Sequence, residues 1–201
     1  MVNEPLEAGV GAVVLAAGQS RRMGTAKMVL PWGSRTVIAQ VVEVLADSGV
    51  KPVVVVTGGA QEAVQQCLAN YNVTFAHNHR FAETEMLDSL RIGLHALPSR
   101  TQAALVTLGD QPQILPGTVR AVLSRYQTSH NPIIVPSYQM RRGHPWLLGS
   151  ALWEEIFNLE AGKSLRDFLA AYAEDIDYLV VDTPTILGDL DTPEDYDRLK
   201  P

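Results

Sequence analysis

Cysteine and positive charge are both scarce in this chain of 201 residues. Cys67 is the only cysteine, which excludes an intramolecular disulfide and a cysteine-based zinc site. The net charge of -6 argues against broad binding to nucleic acid or to an anionic membrane, because both normally require a basic surface. No apolar run is long enough to span a membrane, and residues 1–9 lack the basic and apolar segments of a signal peptide. We therefore expect a cytoplasmic protein with no nucleic-acid or membrane partner.

The apolar residues come in short blocks that alternate in kind along the chain. Some blocks are uninterrupted and rich in β-branched residues, as in Val10–Ala16 and Ala103–Leu108, which is typical of strands buried on both faces of a sheet. Between them lie segments with apolar residues at helical spacing. This alternation predicts a three-layer α/β/α fold with a mostly parallel central sheet. Since no linker or repeat divides the chain, we expect one domain over residues 1–201.

Two helix starts can be placed by their capping residues. Ser34 is predicted to cap a first helix that ends at Gly49. In the last helix Thr192 is the cap and Pro193 takes the first helical position, with Asp195 three residues after the cap.

The loop after Val10–Ala16 has the composition of a phosphate-binding site. Gly18 and Gly24 allow backbone N–H groups to approach an anion closely, because no Cβ intervenes. The loop also carries side chains that bind phosphate oxygens: Ser20, Arg21, Arg22 and Lys27. A P-loop and a dinucleotide fingerprint are both excluded, because Thr25 follows Gly24 and no central glycine separates the two glycines.

The segment from Leu15 to Lys27 reads L-A-A-G-x-S-x-R-M-G-x-x-K. It resembles the nucleotidyltransferase superfamily with a glycosyltransferase-A-like fold, and in particular the molybdenum cofactor cytidylyltransferase family; the alternative is a basic surface loop after a strand. The resemblance implies that this loop binds a nucleoside triphosphate through Leu15, Ala16, Ala17, Gly18, Ser20, Arg21 and Gly24. It also implies that Arg22 and Lys27 are catalytic and neutralise charge on the β- and γ-phosphates and in the transition state.

Asp110 follows the buried strand Ala103–Leu108, within Gly109-Asp110-Gln111-Pro112. Ligands of open α/β sheets bind beyond the carboxyl ends of the strands, so Asp110 should lie near the first loop. Proteins usually hold Mg²⁺ with one or two carboxylates plus phosphate oxygens. On its own this aspartate would be an ordinary turn residue. The family resemblance implies instead that Asp110 is a catalytic ligand of Mg²⁺.

A second candidate metal ligand lies in Gly188–Asp195, which reads G-D-L-D-T-P-E-D. This segment resembles the closing D-x-D-T-P-E-D of the family, and it implies that Asp191 approaches the metal from another strand end. Alternatively, Asp189 and Asp191 only surround a helix N-terminus, where negative charge is favourable. Which of the two aspartates binds metal is left open.

The segment Asn78–Leu94 resembles the part of the family that lines the nucleotide. The resemblance implies that Asn78 and Ser89 contact the nucleotide. Glu85 stands where the family usually has glycine. Its side chain can narrow the pocket, or its negative charge can repel phosphate.

The segment R-R-G-H-P, which ends at Pro145, resembles the acceptor side of the family's cleft. It implies that the acceptor is bound by Arg142, Gly143, His144 and Pro145. Two adjacent arginines suit a phosphate monoester, which His144 can hydrogen-bond or help to deprotonate. The alternative is an exposed basic turn. From a further family segment we carry over only Arg166.

Together these segments imply a Mg²⁺-dependent nucleotidyltransferase that moves CMP from CTP to the terminal phosphate of molybdopterin and releases pyrophosphate. CTP is favoured over GTP because Ala17 adds a methyl group where guanylyltransferases have glycine. A sugar phosphate or an alcohol phosphate such as methylerythritol phosphate is the alternative acceptor. A different class is a catalytically silent nucleotide-binding protein that delivers the cofactor, and a molybdoenzyme or its chaperone is the implied protein partner.

Overall fold

The computed structural model describes residues 9–19, 23–160 and 162–201. The described strands are β1 (Val10–Ala16), β2 (Pro31–Trp32), β3 (Arg35–Thr36), β4 (Val53–Thr57), β5 (Thr74–His77), β6 (Ala103–Leu108), β7 (Ile133–Tyr138), β8 (Arg141–Arg142), β9 (Trp146–Gly149) and β10 (Ile176–Val180). The described α-helices are α1 (Val37–Asp47), α2 (Gln61–Cys67), α3 (Met86–Ala96), α4 (Pro116–Thr128), α5 (Trp153–Phe157), α6 (Leu165–Ala171) and α7 (Pro193–Leu199). None of these helices is long and apolar enough to cross a membrane.

The central sheet has the strand order β10-β7-β9-β6-β1-β4-β5, with β8 paired to β7. β1 is parallel to β4 and to β6, and the outer pairs β4–β5 and β7–β10 are parallel as well. β9 runs antiparallel between β6 and β7. The prediction of a mostly parallel α/β sheet is therefore confirmed, and the carboxyl ends of β1, β4 and β6 lie at one edge of the sheet.

The side chains of β1 alternate between two hydrophobic clusters, one on each face of the sheet. Val14 belongs to the cluster formed with α1 and α4, whereas Val13 belongs to the cluster formed with α3 and α6. On the second face α3 contacts the sheet through Gly93, where a Cβ would lie 2.3 Å from Cγ1 of Val13. Because both faces of the central strand are covered, the strand is apolar without interruption. Cys67 is half-buried at the end of α2 and packs against the first cluster.

The predicted cap of the first helix was wrong. Thr36, not Ser34, is the cap, and its Oγ1 accepts a hydrogen bond from the backbone N–H of Ala39 at 3.4 Å. Ser34 instead lies in the turn of a hairpin between β2 and β3, beside Gly33 with a φ of +57°. Strands of two residues are too short to show an alternating pattern, so the sequence did not reveal this hairpin.

The start of the last helix is as predicted. Thr192 caps α7 through a reciprocal pair of hydrogen bonds with Asp195, and Pro193 is the first helical residue. These hydrogen bonds with Thr192 lower the pKa of Asp195. The cap holds the segment that precedes α7, with Asp189 and Asp191, at the edge of the sheet described next.

Candidate functional site

The first loop leaves β1 at the edge where the parallel strands end. Ala17 and Gly18 continue past the last paired residue of β1, and the short 3₁₀ helix Lys27–Val29 returns the chain to the same edge. The end of β4 is packed directly against this loop, since a Cβ on Gly58 would lie 2.4 Å from the carbonyl oxygen of Ala17. A side chain at that position would push the loop away from the sheet.

Ser20, Arg21 and Arg22 lie outside the described residues. Their assignment as phosphate-binding residues, including the catalytic role of Arg22, stays a prediction.

Lys27 is the cation around which the described site is arranged. Its ammonium contacts Oδ2 of Asp110 in a short ion pair, and it also contacts Oδ1 of Asp191 at 3.3 Å. The side chain is buried, and burial by itself lowers the pKa of Lys27. The Asp110 and Asp191 carboxylates outweigh this effect, so the pKa is raised above its ordinary value. Lys27 is thus a fixed positive charge between two carboxylates.

The segment carrying Asp191 is joined to the backbone at Asp110. The N–H of Leu190 donates to the carbonyl oxygen of Asp110 at 3.2 Å, and the fully buried Leu190 side chain packs with Trp32 and Val37. Burial of the residue between the two aspartates turns both carboxylates toward the cleft. The backbone hydrogen bond therefore brings together carboxylates that are far apart in the sequence.

Asp189 has a different environment from Asp191. Its Oδ1 accepts a hydrogen bond of 2.7 Å from Nε2 of the buried Gln111. Burial raises the pKa of Asp189; the hydrogen bond from Gln111 opposes this effect, and the Asp110 and Asp191 charges reinforce it. Since Asp191 shares the Lys27 ammonium with Asp110 and Asp189 does not, the geometry favours Asp191 as the partner of Asp110.

The oxygens of Asp110 and Asp191 fit a hard divalent cation. Both carboxylates converge on one ammonium, so they can also converge on one metal ion, and Mg²⁺ prefers carboxylate oxygens completed by phosphate oxygens. Among the described residues no group of three or more His, Cys, Asp and Glu side chains is arranged to hold a metal by itself. A metal held here by Asp110 and Asp191 would therefore complete its coordination with water or with phosphate oxygens of a ligand.

A cavity of about 280 Å³ extends from Lys27 along the end of β1. Of the predicted nucleotide-binding residues, Leu15, Ala17, Gly18 and Ser89 line it. Ala16 and Gly24 do not: Ala16 is buried in the sheet, and Gly24 is exposed with a φ of +66°. Phe81 and Thr84 also line the cavity, although no motif of the sequence pointed to them.

Asn78 is placed behind the cavity rather than in its wall. It is buried, and its Nδ2 donates to Oγ1 of Thr84 and to Oγ of Ser89, each at 3.0 Å. Its Oδ1 accepts from the N–H of Arg80 at 3.0 Å. Both amide hydrogens are therefore used within the protein, so Asn78 positions the residues that line the cavity, and the expected direct contact with nucleotide is not supported.

A second cavity of about 870 Å³ adjoins the first. Of the predicted acceptor-binding residues, Arg142, Gly143 and His144 line it, together with Arg166, whereas Pro145 is buried and does not line it. Arg142 is exposed, and its guanidinium lies 5.3 Å from the centre of the Tyr178 ring. The cavity thus has cationic groups at its rim and the imidazole of His144 in its wall.

The His144 side chain is half-buried, and its imidazole is neutral near pH 7. Its ring stacks on Trp146 with 4.6 Å between the ring centres, and burial lowers its pKa to about 4. Nε2 of His144 is buried and has no hydrogen-bond partner in the described part of the chain. So weak a base gives little help in deprotonating a phosphate, which corrects that part of the expectation, but the neutral ring can still hydrogen-bond a ligand.

Four residues line both cavities and so form the wall between them: Glu85, Met86, Leu108 and Asp189. A ligand in the first cavity and a ligand in the second can both contact this shared wall. The two cavities are therefore contiguous, and the Lys27 ammonium with its two carboxylates belongs to the first of them.

A mostly parallel α/β sheet with a cleft at the carboxyl ends of its strands is the architecture that nucleotidyltransferases use, and the family match assigns the chain to that class. Residues 12–176 match the model of the MobA-like NTP transferase domain, and the chain belongs to that family.

Relatives span nearly the whole chain. Molybdenum cofactor cytidylyltransferase of Escherichia coli is 26% identical over 195 residues, which cover 93% of each protein. Nicotine blue oxidoreductase of Paenarthrobacter nicotinovorans is 29% identical over 203 residues, which cover 94% of this chain and 96% of that protein.

Solved structures with the same fold also match nearly the whole chain. The Mycobacterium tuberculosis protein Rv0371c superposes with a TM-score of 0.83 at 30% identity, covering 96% of this chain and 97% of that one. A structure of that protein in complex with manganese superposes with a TM-score of 0.80 at 28% identity, covering 96% of this chain and 98% of that one. This similar structure therefore contains a metal that forms divalent cations, which are the ions that a pair of carboxylates such as Asp110 and Asp191 can bind.

Proposed function

We propose that this nucleotidyltransferase moves CMP from CTP to the terminal phosphate of molybdopterin or the molybdenum cofactor and releases pyrophosphate, with Mg²⁺ as its metal. The observation that carries the proposal is the position of Lys27 between Asp110 and Asp191 in the first cavity, which shares a wall with the second. In this arrangement residues 1–201 act as one catalytic domain in the cytoplasm, and a molybdoenzyme or its chaperone receives the product.

The nucleotide occupies the first cavity with its phosphates toward Gly18 and Lys27. An oxygen of the acceptor phosphate attacks the α-phosphorus while the bond from that phosphorus to the bridging oxygen breaks, and the electron pair leaves with pyrophosphate. Lys27 neutralises the charge that develops on the phosphate oxygens, which is the main need of phosphoryl chemistry. Mg²⁺ held by Asp110 and Asp191 would supply further charge neutralisation there.

The choice of CTP rests on Ala17, which lines the first cavity. The methyl group of Ala17 lies at the cavity wall, and the backbone of Ala17 cannot move back because Gly58 packs against it. A pyrimidine needs less room beside this methyl group than a purine. The similarity to molybdenum cofactor cytidylyltransferase of Escherichia coli supports the same choice.

The choice of acceptor rests on the second cavity. Arg142 and Arg166 can neutralise a phosphate monoester, and the neutral imidazole of His144 offers a hydrogen bond without charge. The apolar wall residues Leu165, Leu169 and Ile186 suit the rest of a larger, ring-containing acceptor.

The test is pyrophosphate release with Mg²⁺ and each of CTP, GTP, ATP and UTP, with and without molybdopterin cofactor. We expect release only with CTP plus cofactor. Asp110→Ala should abolish it with the fold intact, because Asp191 still pairs with Lys27, whereas Asp47→Ala on the exposed end of α1 should change nothing. Release with GTP would contradict the base assignment, and nucleotide binding without turnover on any acceptor would favour the silent delivery protein.

A further inference from the structure

Glu85 has no part in the chemistry described above, although it lines both cavities. It occupies the N-cap position of α3 with an extended backbone, φ −94° and ψ 179°, but its side chain makes no capping hydrogen bond. Within residues 9–19, 23–160 and 162–201 its exposed carboxylate forms no hydrogen bond or ion pair. Neighbouring acidic residues do have such partners: Glu83 pairs with Arg80 at 3.4 Å, and Asp88 pairs with Arg91 at 3.5 Å.

The position of Glu85 limits which part of a substrate it can meet. In the proposed reaction the α-phosphorus must lie where the two cavities adjoin, because the acceptor reaches it from the second cavity. The ribose is bonded to the α-phosphate, so it lies next to the wall formed by Glu85, Met86, Leu108 and Asp189. The base then extends toward Phe81 and Thr84.

The chemistry of a carboxylate narrows the choice further. An ionised carboxylate only accepts hydrogen bonds, and it repels phosphate. The neutral donors that a nucleoside triphosphate offers beside its α-phosphate are the 2′- and 3′-hydroxyls of the ribose, and an acidic side chain is a general means of binding such hydroxyls. Asp189, the other carboxylate of the wall, already accepts from Gln111.

We infer that Glu85 accepts hydrogen bonds from the ribose hydroxyls of the bound nucleoside triphosphate and selects ribonucleotides over deoxyribonucleotides. This inference rests on the proposed nucleotidyl transfer and adds a specificity-determining residue to it. Glu85, which stands where the family usually has glycine, then binds the ribose, and Lys27 binds the phosphates.

The experiment compares CTP with 2′-deoxy-CTP and 3′-deoxy-CTP in the wild type, Glu85→Gln and Glu85→Gly. The matched control is Glu83→Gly, two residues away and outside both cavities. Ratios of kcat/KM come from pyrophosphate release, and ratios of Kd come from calorimetric titration in the presence of Mg²⁺. Backbone strain is not expected in Glu85→Gly, because the residue is exposed and its side chain caps nothing.

We expect the wild type to prefer CTP over at least one deoxynucleotide by about tenfold, the value of one hydrogen bond to a charged group. Glu85→Gly should remove most of that preference, because CTP should bind more weakly while the deoxynucleotides bind as before. Glu85→Gln should remove part of the preference, and Glu83→Gly should retain it. An unchanged preference in Glu85→Gly, or a change only in the KM of the acceptor, would overturn the inference.

Two further results separate this inference from the proposed function. If the wild type binds CTP but releases no pyrophosphate, the proposed transfer fails while the Kd ratios still decide the role of Glu85. If the wild type binds no nucleotide at all, both fail.

Discussion

Replacement of Lys27 by methionine tests the charge arrangement of the site most directly. Methionine has a similar length and no charge, so Lys27→Met leaves the Asp110 and Asp191 carboxylates facing each other beside Asp189 without their cation. The short ion pair with the mostly buried Asp110 is worth about 1.5–3 kcal/mol. The longer pair with Asp191, whose side chain is 34% exposed, adds about 0.2–1 kcal/mol.

The free energy of unfolding should therefore fall by about 2–3 kcal/mol. This value allows for the fact that methionine, unlike Lys27, buries no charge, which offsets part of the loss. For a chain of this size that loss lowers Tm by about 4–12 °C. Thermal unfolding followed by circular dichroism measures it, with Lys51→Met at an exposed position as the matched control. The control should unfold within about 0.5 kcal/mol of the wild type.

A divalent cation should reverse the loss in this variant. Mn²⁺ can take the place of the ammonium between the two carboxylates, and a ligand that binds only the folded state raises stability in proportion to RT ln(1 + [L]/Kd). In the wild type Lys27 competes for that place, so the same Mn²⁺ concentration should raise Tm less. If Lys27→Met is as stable as the wild type, or if Mn²⁺ raises Tm equally in both proteins, the reasoning about a shared cation position is refuted.

Three other predictions concern the second cavity and the core. The pKa of His144 is about 4, below its ordinary value of 6.5. Between these two values the unfolded chain takes up a proton that the folded protein does not, so the free energy of unfolding is unaffected above pH 6.5 and falls as the pH drops toward 4. Urea unfolding at a series of pH values should show a fall of about 3 kcal/mol in the free energy of unfolding. In His144→Gln the free energy of unfolding should change less with pH over this range. Gly143→Ala should weaken acceptor binding in titrations with inorganic phosphate, because its Cβ would lie 2.4 Å from the carbonyl oxygen of Ile186. Gly93→Ala should cost about 1–3 kcal/mol in the same unfolding assay, since its Cβ would overlap Val13; equal stability would contradict the packing of α3.

The sequence alone determined the elements whose signals are local. Val10–Ala16 and Ala103–Leu108 have the predicted bounds, because an uninterrupted β-branched run identifies a strand covered on both faces. The start of α7 was also predictable, since its capping pair, Thr192 and Asp195, lies within one turn. The family resemblance came from motifs of the same kind, short runs such as Leu15–Lys27 that can be read without a partner.

Tertiary structure alone decided which of these motifs meet. Lys27 contacts Asp110 across 83 positions of the sequence and Asp191 across 164, and no periodicity or local propensity encodes such pairings. Asp191 reaches the Lys27 ammonium because the buried Leu190 is hydrogen-bonded to the backbone at Asp110, whereas Asp189 accepts a hydrogen bond from Gln111. The inward hydrogen bonds of Asn78 and the low pKa of His144 have the same origin, because burial and the choice of hydrogen-bond partner are set by elements that are distant in the chain and packed together only in the fold.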